Sequence, residues 1–267
     1  MQYTADGVAR EAASILASAW MSDAHLEAPL PQACRPRTRA EGYAAQALWA
    51  SVVGHPPGGW KIAATSVAGQ KHIGVSGPLA GPIFRHRIHP DGAAVSLAHN
   101  RMRVAECEVV FIFGRDLTPQ AAPRSREEVL AAVSQVSPGI EVPDSRFVAF
   151  ESAGEAQLLA DCACCNEMVL GTPVAPDASR LAQMPQLRVQ ARVSDGRTPD
   201  GLGSNVLGDP VEALVWFVHE MGRAGQVVRA GEFVTTGACV PPIPVLPGQT
   251  VEGDFGWIGR ITARFTD

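Results

Sequence analysis

The chain has 267 residues, 46% hydrophobic and 18% charged, with a formal net charge of −5. That length suits one large domain, or one domain with a small accessory part, and the hydrophobic content excludes intrinsic disorder. Dispersed Lys and Arg under a negative total leave no footprint for nucleic acid, and no apolar run reaches the ~20 residues that would cross a bilayer.

The charged share lies below the ~25% of an average soluble protein, so part of the surface is expected to be hidden in a homo-oligomer. The 26 Gly and 21 Pro point to turn-rich β structure rather than a helical bundle. The opening residues, MQYTADGVAREAASILASAW, carry acids and no basic segment ahead of an apolar one, so they read as a helix of the mature protein and not as a signal peptide. Cys34, Cys107, Cys162, Cys164, Cys165 and Cys239 have no disulfide-framework spacing, which implies reduced thiols in a cytoplasmic protein.

In chain order, Val8, Ala12, Ile15, Leu16 and Ala19 fall near the 3.6-residue period of a helix, and a second helix is expected over 39–53, after Arg35-Pro36. At HPPGG the character changes. Residues 1–54 therefore read as a helical N-terminal part and 55–267 as a β-rich body, together one structural unit. Val104–Phe113 is the clearest strand. A helix is expected over 126–136, then a turn at Pro138-Gly139 and a short strand over 140–142. Another apolar stretch runs over 158–170 and stops at Gly171. Asp209 as N-cap, Pro210 in the first helical position and Gly225 as a stop mark the best-signalled helix. The tail alternates strands and turns through EFVTTG, VPPIPVLPGQTV and WIGRITARF. The class is α+β.

Within the strand VAECEVVFIFG, Glu106 and Glu108 point to one face with about 7 Å between their Cα atoms. Val104, Val110 and Ile112 share that face, while Cys107, Val109, Phe111 and Phe113 line the other, the pattern of a strand buried on both sides. Two carboxylates held that close repel unless a cation lies between them, and oxygen ligands on a rigid strand suit Mg²⁺ or Mn²⁺. The competing reading is a solvated face paired with Arg101 and Arg103. A third acid is needed, and Glu141 in PGIEVPDSR is the candidate. Lys61, between Trp60 and Ile62 in an apolar segment, would if buried have its pKa pulled down, fitting it for proton transfer or for holding a carboxylate; the competing reading is an exposed lysine at the start of a strand. Asp144 and Asp161 could each orient a ligand or a water, or serve as ordinary turn and cap residues. The Cys162–Cys165 pair lacks the second half of a zinc site and reads as packing. The seven histidines form no ligand motif, and neither GVSGPLAG nor DGLGSNVLG matches a phosphate-binding loop.

The ordered set GWKIAATS, GVSGPLAG, RVAECEVVFIFGRDL, PGIEVPDSR, LLADCAC, LGDPVEALVWFVHEMGRAGQVVRAGEFVTTGA and GDFGWIGRITARF resembles the 2-keto-4-pentenoate hydratase branch of the fumarylacetoacetate hydrolase superfamily, a branch that also holds 4-oxalocrotonate decarboxylases. The resemblance covers nearly the whole chain. It implies a mixed, rolled β-sheet body, homo-oligomers, and one Mg²⁺ or Mn²⁺ held at Glu106, Glu108 and Glu141. It places the family's lysine on Lys61, with Thr65 and Ser66 beside it, and puts Leu79, Asp144 and Asp161 at substrate-binding or supporting positions. The implied reaction is hydration of a 2-hydroxy-dienoate or 2-oxo-enoate, a small-molecule 2-oxo acid substrate. Decarboxylation of a 2-oxo-enedioate, or a non-catalytic scaffold, is the alternative. Three departures stand out. Leu79 replaces the aspartate usual in hydratases, an apolar residue there being typical of the decarboxylases. Val67 stands where a lysine is common, and Cys162 where an asparagine is usual.

Overall fold

A computed structural model describes residues 5–267. Three helices open the chain: α1 (Ala5–Met21), α2 (Arg39–Gln46) and α3 (Trp49–Val53). Then follow β1 (Pro57–Ala63), α4 (Val67–His72), β2 (Leu79–Phe84), β3 (Ile88–Pro90), β4 (Ala94–Ser96), β5 (Val104–Phe113), α5 (Arg126–Leu130) and β6 (Val133–Val142). The second half holds α6 (Glu155–Ala160), β7 (Glu167–Leu170), α7 (Ala178–Leu181), β8 (Arg188–Val193), β9 (Asp200–Leu202) and α8 (Pro210–Arg223). It ends on β10 (Phe233–Ala238), β11 (Ile243–Pro244), β12 (Thr250–Asp254) and β13 (Arg260–Thr266).

Two sheets form the body. The larger runs β2-β1-β10-β5-β6-β7-β3, with β11 added beside β5, and mixes parallel and antiparallel neighbours. The smaller runs β4-β13-β12-β8-β9. The main core lies between them and against α8, and takes in Cys107, Val109, Phe111 and Phe113 from one face of β5. This is the expected α+β class with a mixed, curled sheet and an N-terminal helical part. The opening helices wrap the β2 edge, where Trp49 stacks on Phe84 and Trp20 meets Trp49 edge-on and Phe84 at a tilt. Arg39 ties α2 to the body, its guanidinium donating to Glu155 Oε1 at 2.6 Å, Glu220 Oε1 at 2.6 Å and the Pro78 carbonyl at 3.0 Å. No helix of the described residues is long and apolar enough to cross a membrane.

Helix α8 is built as its signals predict. The Asp209 side chain accepts from Val211 N, Pro210 starts the helix, and Gly225 follows it at φ 69°. Three expectations are corrected. The helix expected over 39–53 is broken into α2 and α3. The helix expected over 126–136 ends at Leu130, and 133–142 is a single strand paired along β5. A Ser125 capping box starts α5, but Val133, Val136 and Ile140 are claimed by the core, so tertiary pairing overrides local helical pattern. Pro138 and Gly139 lie inside this strand and not in a turn. The β7 ladder begins only at Gly139, so Pro138 sits at its end, where a missing N–H is tolerated.

Candidate metal and substrate site

Strand alternation and register assemble the acidic cluster. Glu106 and Glu108 share a face of β5, and Glu141 on β6 lies directly across from Glu106. On the other side of β5, Thr235 pairs with Val110, and Lys61 on β1 pairs with Thr235. Residues directly opposite in a sheet share a face, so Lys61, Thr235 and the three glutamates converge. Carboxylate oxygens of Glu106, Glu108 and Glu141 come within 4.8 Å of one another. Glu108 and Glu141 are buried and Glu106 partly so.

Each acid is held differently. Glu108 Oε2 accepts from Thr235 Oγ1 and, at 2.7 Å, from Gly237 N. Gly237 lies where the β10 register shifts, at φ +105°, and a Cβ there would come 1.9 Å from Thr65 Oγ1. Only glycine fits both demands. Glu141 Oε1 is ion-paired with Lys61 Nζ at 3.0 Å, while its buried Oε2 has no partner. Such an orphaned, desolvated oxygen is costly in a finished structure.

Charge follows the same logic. Burial raises the carboxyl pKa values of Glu106, Glu108 and Glu141, the last to about 7; mutual repulsion adds to burial at Glu108 and Glu141, while Lys61 opposes it at all three. The expectation for Lys61 is reversed. Burial does work against its ammonium, but Glu141, Glu106, Cys164 and Glu108 outweigh it and hold the pKa above its ordinary value. With all three acids ionised, the state a bound cation favours, three carboxylates and one ammonium leave a double negative charge, which a divalent cation neutralises. The all-oxygen donor set, the orphaned Glu141 Oε2 and this charge fit Mg²⁺, Mn²⁺ or Ca²⁺ better than a thiophilic metal.

Lys61 also donates to the Ala163 carbonyl at 2.9 Å. That carbonyl belongs to a left-handed turn, with Cys162, Ala163 and Cys164 at φ 53°, 52° and 61°. A buried clamp holds the turn. Asp161 accepts from Arg146 Nε, from Arg146 N at 3.0 Å and from Ser145 Oγ at 2.7 Å. Arg146 in return donates to the carbonyls of Cys165 at 2.8 Å and Asp161 at 3.0 Å.

A cavity of about 500 Å³ opens above Lys61, Glu106 and Glu108. Thr65 and Ser66 line it, the Ser66 hydroxyl being engaged as the cap of α4. Leu79 does not line it; it is buried just behind the wall with Leu158, Leu159, Ala163 and Cys164. Asp144 faces a separate cavity, paired with His25 at 3.1 Å and accepting from Arg101 N and Met102 N. Asp161 is consumed by the Arg146 clamp. The structure thus brings together Lys61, the three glutamates, Thr65 and Ser66, and leaves Leu79, Asp144 and Asp161 outside. Thr235, Gly237 and the Ala163 carbonyl escaped the sequence reading. A glycine within the otherwise strand-like EFVTTGA was the available signal, since an interior strand glycine often marks a bulge or close approach.

A curled mixed sheet carrying three convergent carboxylates beside a buried lysine defines a candidate metal site. The fumarylacetoacetate (FAA) hydrolase C-terminal family model matches residues 68–266, and the chain belongs to this family. It is 33% identical, over 78% of its length and 75% of the relative's, to the 2-keto-4-pentenoate hydratase of Paraburkholderia xenovorans (strain LB400). It is 30% identical to 2-keto-4-pentenoate hydratase 1 of Dechloromonas aromatica (strain RCB), with 96% of each chain covered. Among solved structures, the 4-oxalocrotonate decarboxylase of Pseudomonas putida G7, complexed with magnesium and adipate, superposes with a TM-score of 0.85 at 23% identity over 99% of both chains. That last likeness is one of fold.

Proposed function

We propose that the protein is a divalent-metal-dependent hydratase, a carbon–oxygen lyase that adds water to a 2-hydroxy-dienoate or 2-oxo-enoate such as 2-hydroxypenta-2,4-dienoate. The observation that carries this reading is the convergence of Glu106, Glu108 and Glu141 with Lys61 at the buried end of a cavity, joined to the kinship with hydratases. Glu106, Glu108 and Glu141 would hold Mg²⁺ or Mn²⁺, which when bound supplies Lewis-acid stabilisation to the substrate's 2-oxygen.

The chain's own groups do the rest. Lys61, anchored at Ala163 and fully charged, faces the substrate's carboxylate end and can hold it or pass a proton. Thr235 and Gly237 fix Glu108 so that it cannot swing away. The apolar wall keeps bulk water from the conjugated system. In the reaction a proton reaches C5 of the dienol as the 2-hydroxyl proton leaves, giving the conjugated 2-oxo-3-enoate. Water oxygen then bonds to C4 and a proton to C3, for a net gain of one water.

Decarboxylation of a 2-oxo-enedioate is the second reading, favoured by Leu79. A non-catalytic scaffold is disfavoured, because three buried acids without a ligand only destabilise. We further infer a cytoplasmic setting from six buried, free cysteines, assembly with copies of itself from the low charged share, and one structural unit spanning the helical part (1–54) and body (55–267). Incubating the protein and Mg²⁺ with 2-hydroxypenta-2,4-dienoate tests the reaction. Loss of dienol absorbance with a product heavier by one water supports hydration. An unchanged dienol, with CO₂ released from a 2-oxo-enedioate, overturns it.

A further inference from the structure

Every formal charge lining the cavity sits at its buried end, with Lys61, Glu106 and Glu108. The rest of the wall is largely hydrocarbon, from Ile73, Met102, Pro143, Phe150, Val240 and Pro242 among others. Among the described residues the lining holds no arginine and no lysine besides Lys61. Its one imidazole, His72, stands edge-on to Phe150 with ring centroids 5.9 Å apart. The cations nearest along the chain, Lys71, Arg101 and Arg103, are exposed to water and do not line the cavity.

We propose that this cavity selects 2-oxo or 2-hydroxy acids whose far end is an uncharged hydrocarbon tail, and rejects 2-oxo dicarboxylates, with Ile73, Met102 and Phe150 as the tail-binding residues. The selection rests on the reading that a 2-oxo acid binds at the glutamates. The head of such an acid meets charge; its tail meets hydrocarbon. A second carboxylate carried along the wall would lose its water and gain no cation, which is strongly unfavourable. A tail methylene gains there, by roughly fourfold in affinity for each one buried. At about 500 Å³ the cavity falls in the range that encloses ligands well beyond a five-carbon acid, so longer tails fit.

Binding of three probes to the full chain, measured by calorimetry with Mn²⁺ or Mg²⁺ present, tests this. Oxalate reports the head site alone. The six-carbon 2-oxohexanoate and 2-oxoadipate differ only in a terminal methyl or carboxylate. The expected result is metal-dependent oxalate binding, with 2-oxohexanoate bound at least tenfold more tightly than 2-oxoadipate. Ile73→Arg, at a half-buried position on the wall, should raise the 2-oxoadipate to 2-oxohexanoate affinity ratio at least tenfold, and Met102→Lys should do so from a different element. If oxalate binds but 2-oxoadipate equals or exceeds 2-oxohexanoate, the tail selection is wrong while the head site stands. If neither folded variant moves the ratio, these residues do not face the tail and the proposal fails. If oxalate does not bind with either metal, the head-site reading falls and takes this inference with it.

Discussion

Replacing Asp161 with asparagine keeps the volume of a fully buried side chain but removes the charge opposite Arg146, which is itself 1% exposed. Leaving one partner of a buried ion pair uncompensated costs about 3–5 kcal/mol. The clamp has work to do, because three consecutive non-glycine residues in the left-handed region cost about 1–2 kcal/mol each. At about 2–4 °C per kcal/mol for a chain of this size, the melting temperature of Asp161→Asn should fall by roughly 10 °C. Urea unfolding followed by circular dichroism gives the stability change directly. Arg146→Met combined with Asp161→Leu should cost less than the two single changes together, since no buried charge is then stranded. The turn also carries the carbonyl that anchors Lys61, so the folded Asp161→Asn variant should bind oxalate with Mg²⁺ more weakly. The reasoning is refuted if Asp161→Asn unfolds within about 0.5 kcal/mol of the parent.

Glu108→Gln keeps an oxygen for Thr235 and Gly237 but relieves the repulsion among three buried acids. The metal-free protein should therefore gain roughly 1 kcal/mol, while the stabilisation by Mg²⁺, about 2.7 kcal/mol at 100 times the dissociation constant, disappears. A lower metal-free melting point with the Mg²⁺ shift intact would remove Glu108 from the ligand set. Glu167, paired with Val142 and so on the face of the sheet opposite Glu141, supplies a pH test. Burial works against its carboxylate, but hydrogen bonding to His89 and the charge of Arg87 outweigh it and hold its pKa below the ordinary value. A depressed folded pKa stabilises fully above the unfolded value near 4.3 and is lost as pH falls through the folded one. Glu167→Gln should thus lose about 1–3 kcal/mol at pH 7 and show a flatter decline in melting temperature below pH 5. A parallel decline in both proteins would show that the Glu167 pair carries no pH-linked stability.

The legible parts of the site were those set by short-range geometry. Glu106 and Glu108 had to share a face because strands alternate, and the apolar residues on both faces marked the strand as buried. Glu141 came only as a candidate, because its place opposite Glu106 depends on the β5–β6 register, which no local pattern encodes. The same register misled the reading of 126–136, where residues with helical spacing up to Val136 serve a strand instead. Lys61 is buried, as its apolar neighbours allowed, but its electrostatics run against the expectation. Burial was foreseeable from Trp60 and Ile62, but the number of acids facing it is a property of four strands together. Asp161 was a candidate as an acid able to orient a ligand or a water, with a turn or cap residue as the alternative; its role in supporting the turn whose backbone carbonyl holds Lys61 is one that sequence cannot display. The asparagine usual at position 162 tolerates a left-handed φ. Cys162 adopts it at φ 53° only under the Arg146–Asp161 clamp.

Leu79 bears on how water could be handled. It lies in β2 within an apolar cluster whose outer members, Ile73, Met102 and Phe150, line the cavity. A carboxylate at this position would stand in hydrocarbon; leucine instead firms the wall from behind and carries no proton. Of the neutral polar groups on the lining, Ser66 caps α4, and Asn205 donates to the Cys239 carbonyl at 2.8 Å. Burial above all pushes the Cys164 thiol up to about 12, so it stays protonated near neutral pH. The Thr65 hydroxyl can orient a water but not ionise near pH 7. Lys61 at the buried end is likewise held protonated by the surrounding acids, so near neutral pH it can give a proton to a developing carbanion but not take one up, and His72 stands apart at an exposed position beside Phe150. Loss of the acid at position 79 therefore removes a proton acceptor, and on the proposed hydration that part falls to water, which the Thr65 hydroxyl can orient; a retained hydratase activity is compatible with the leucine.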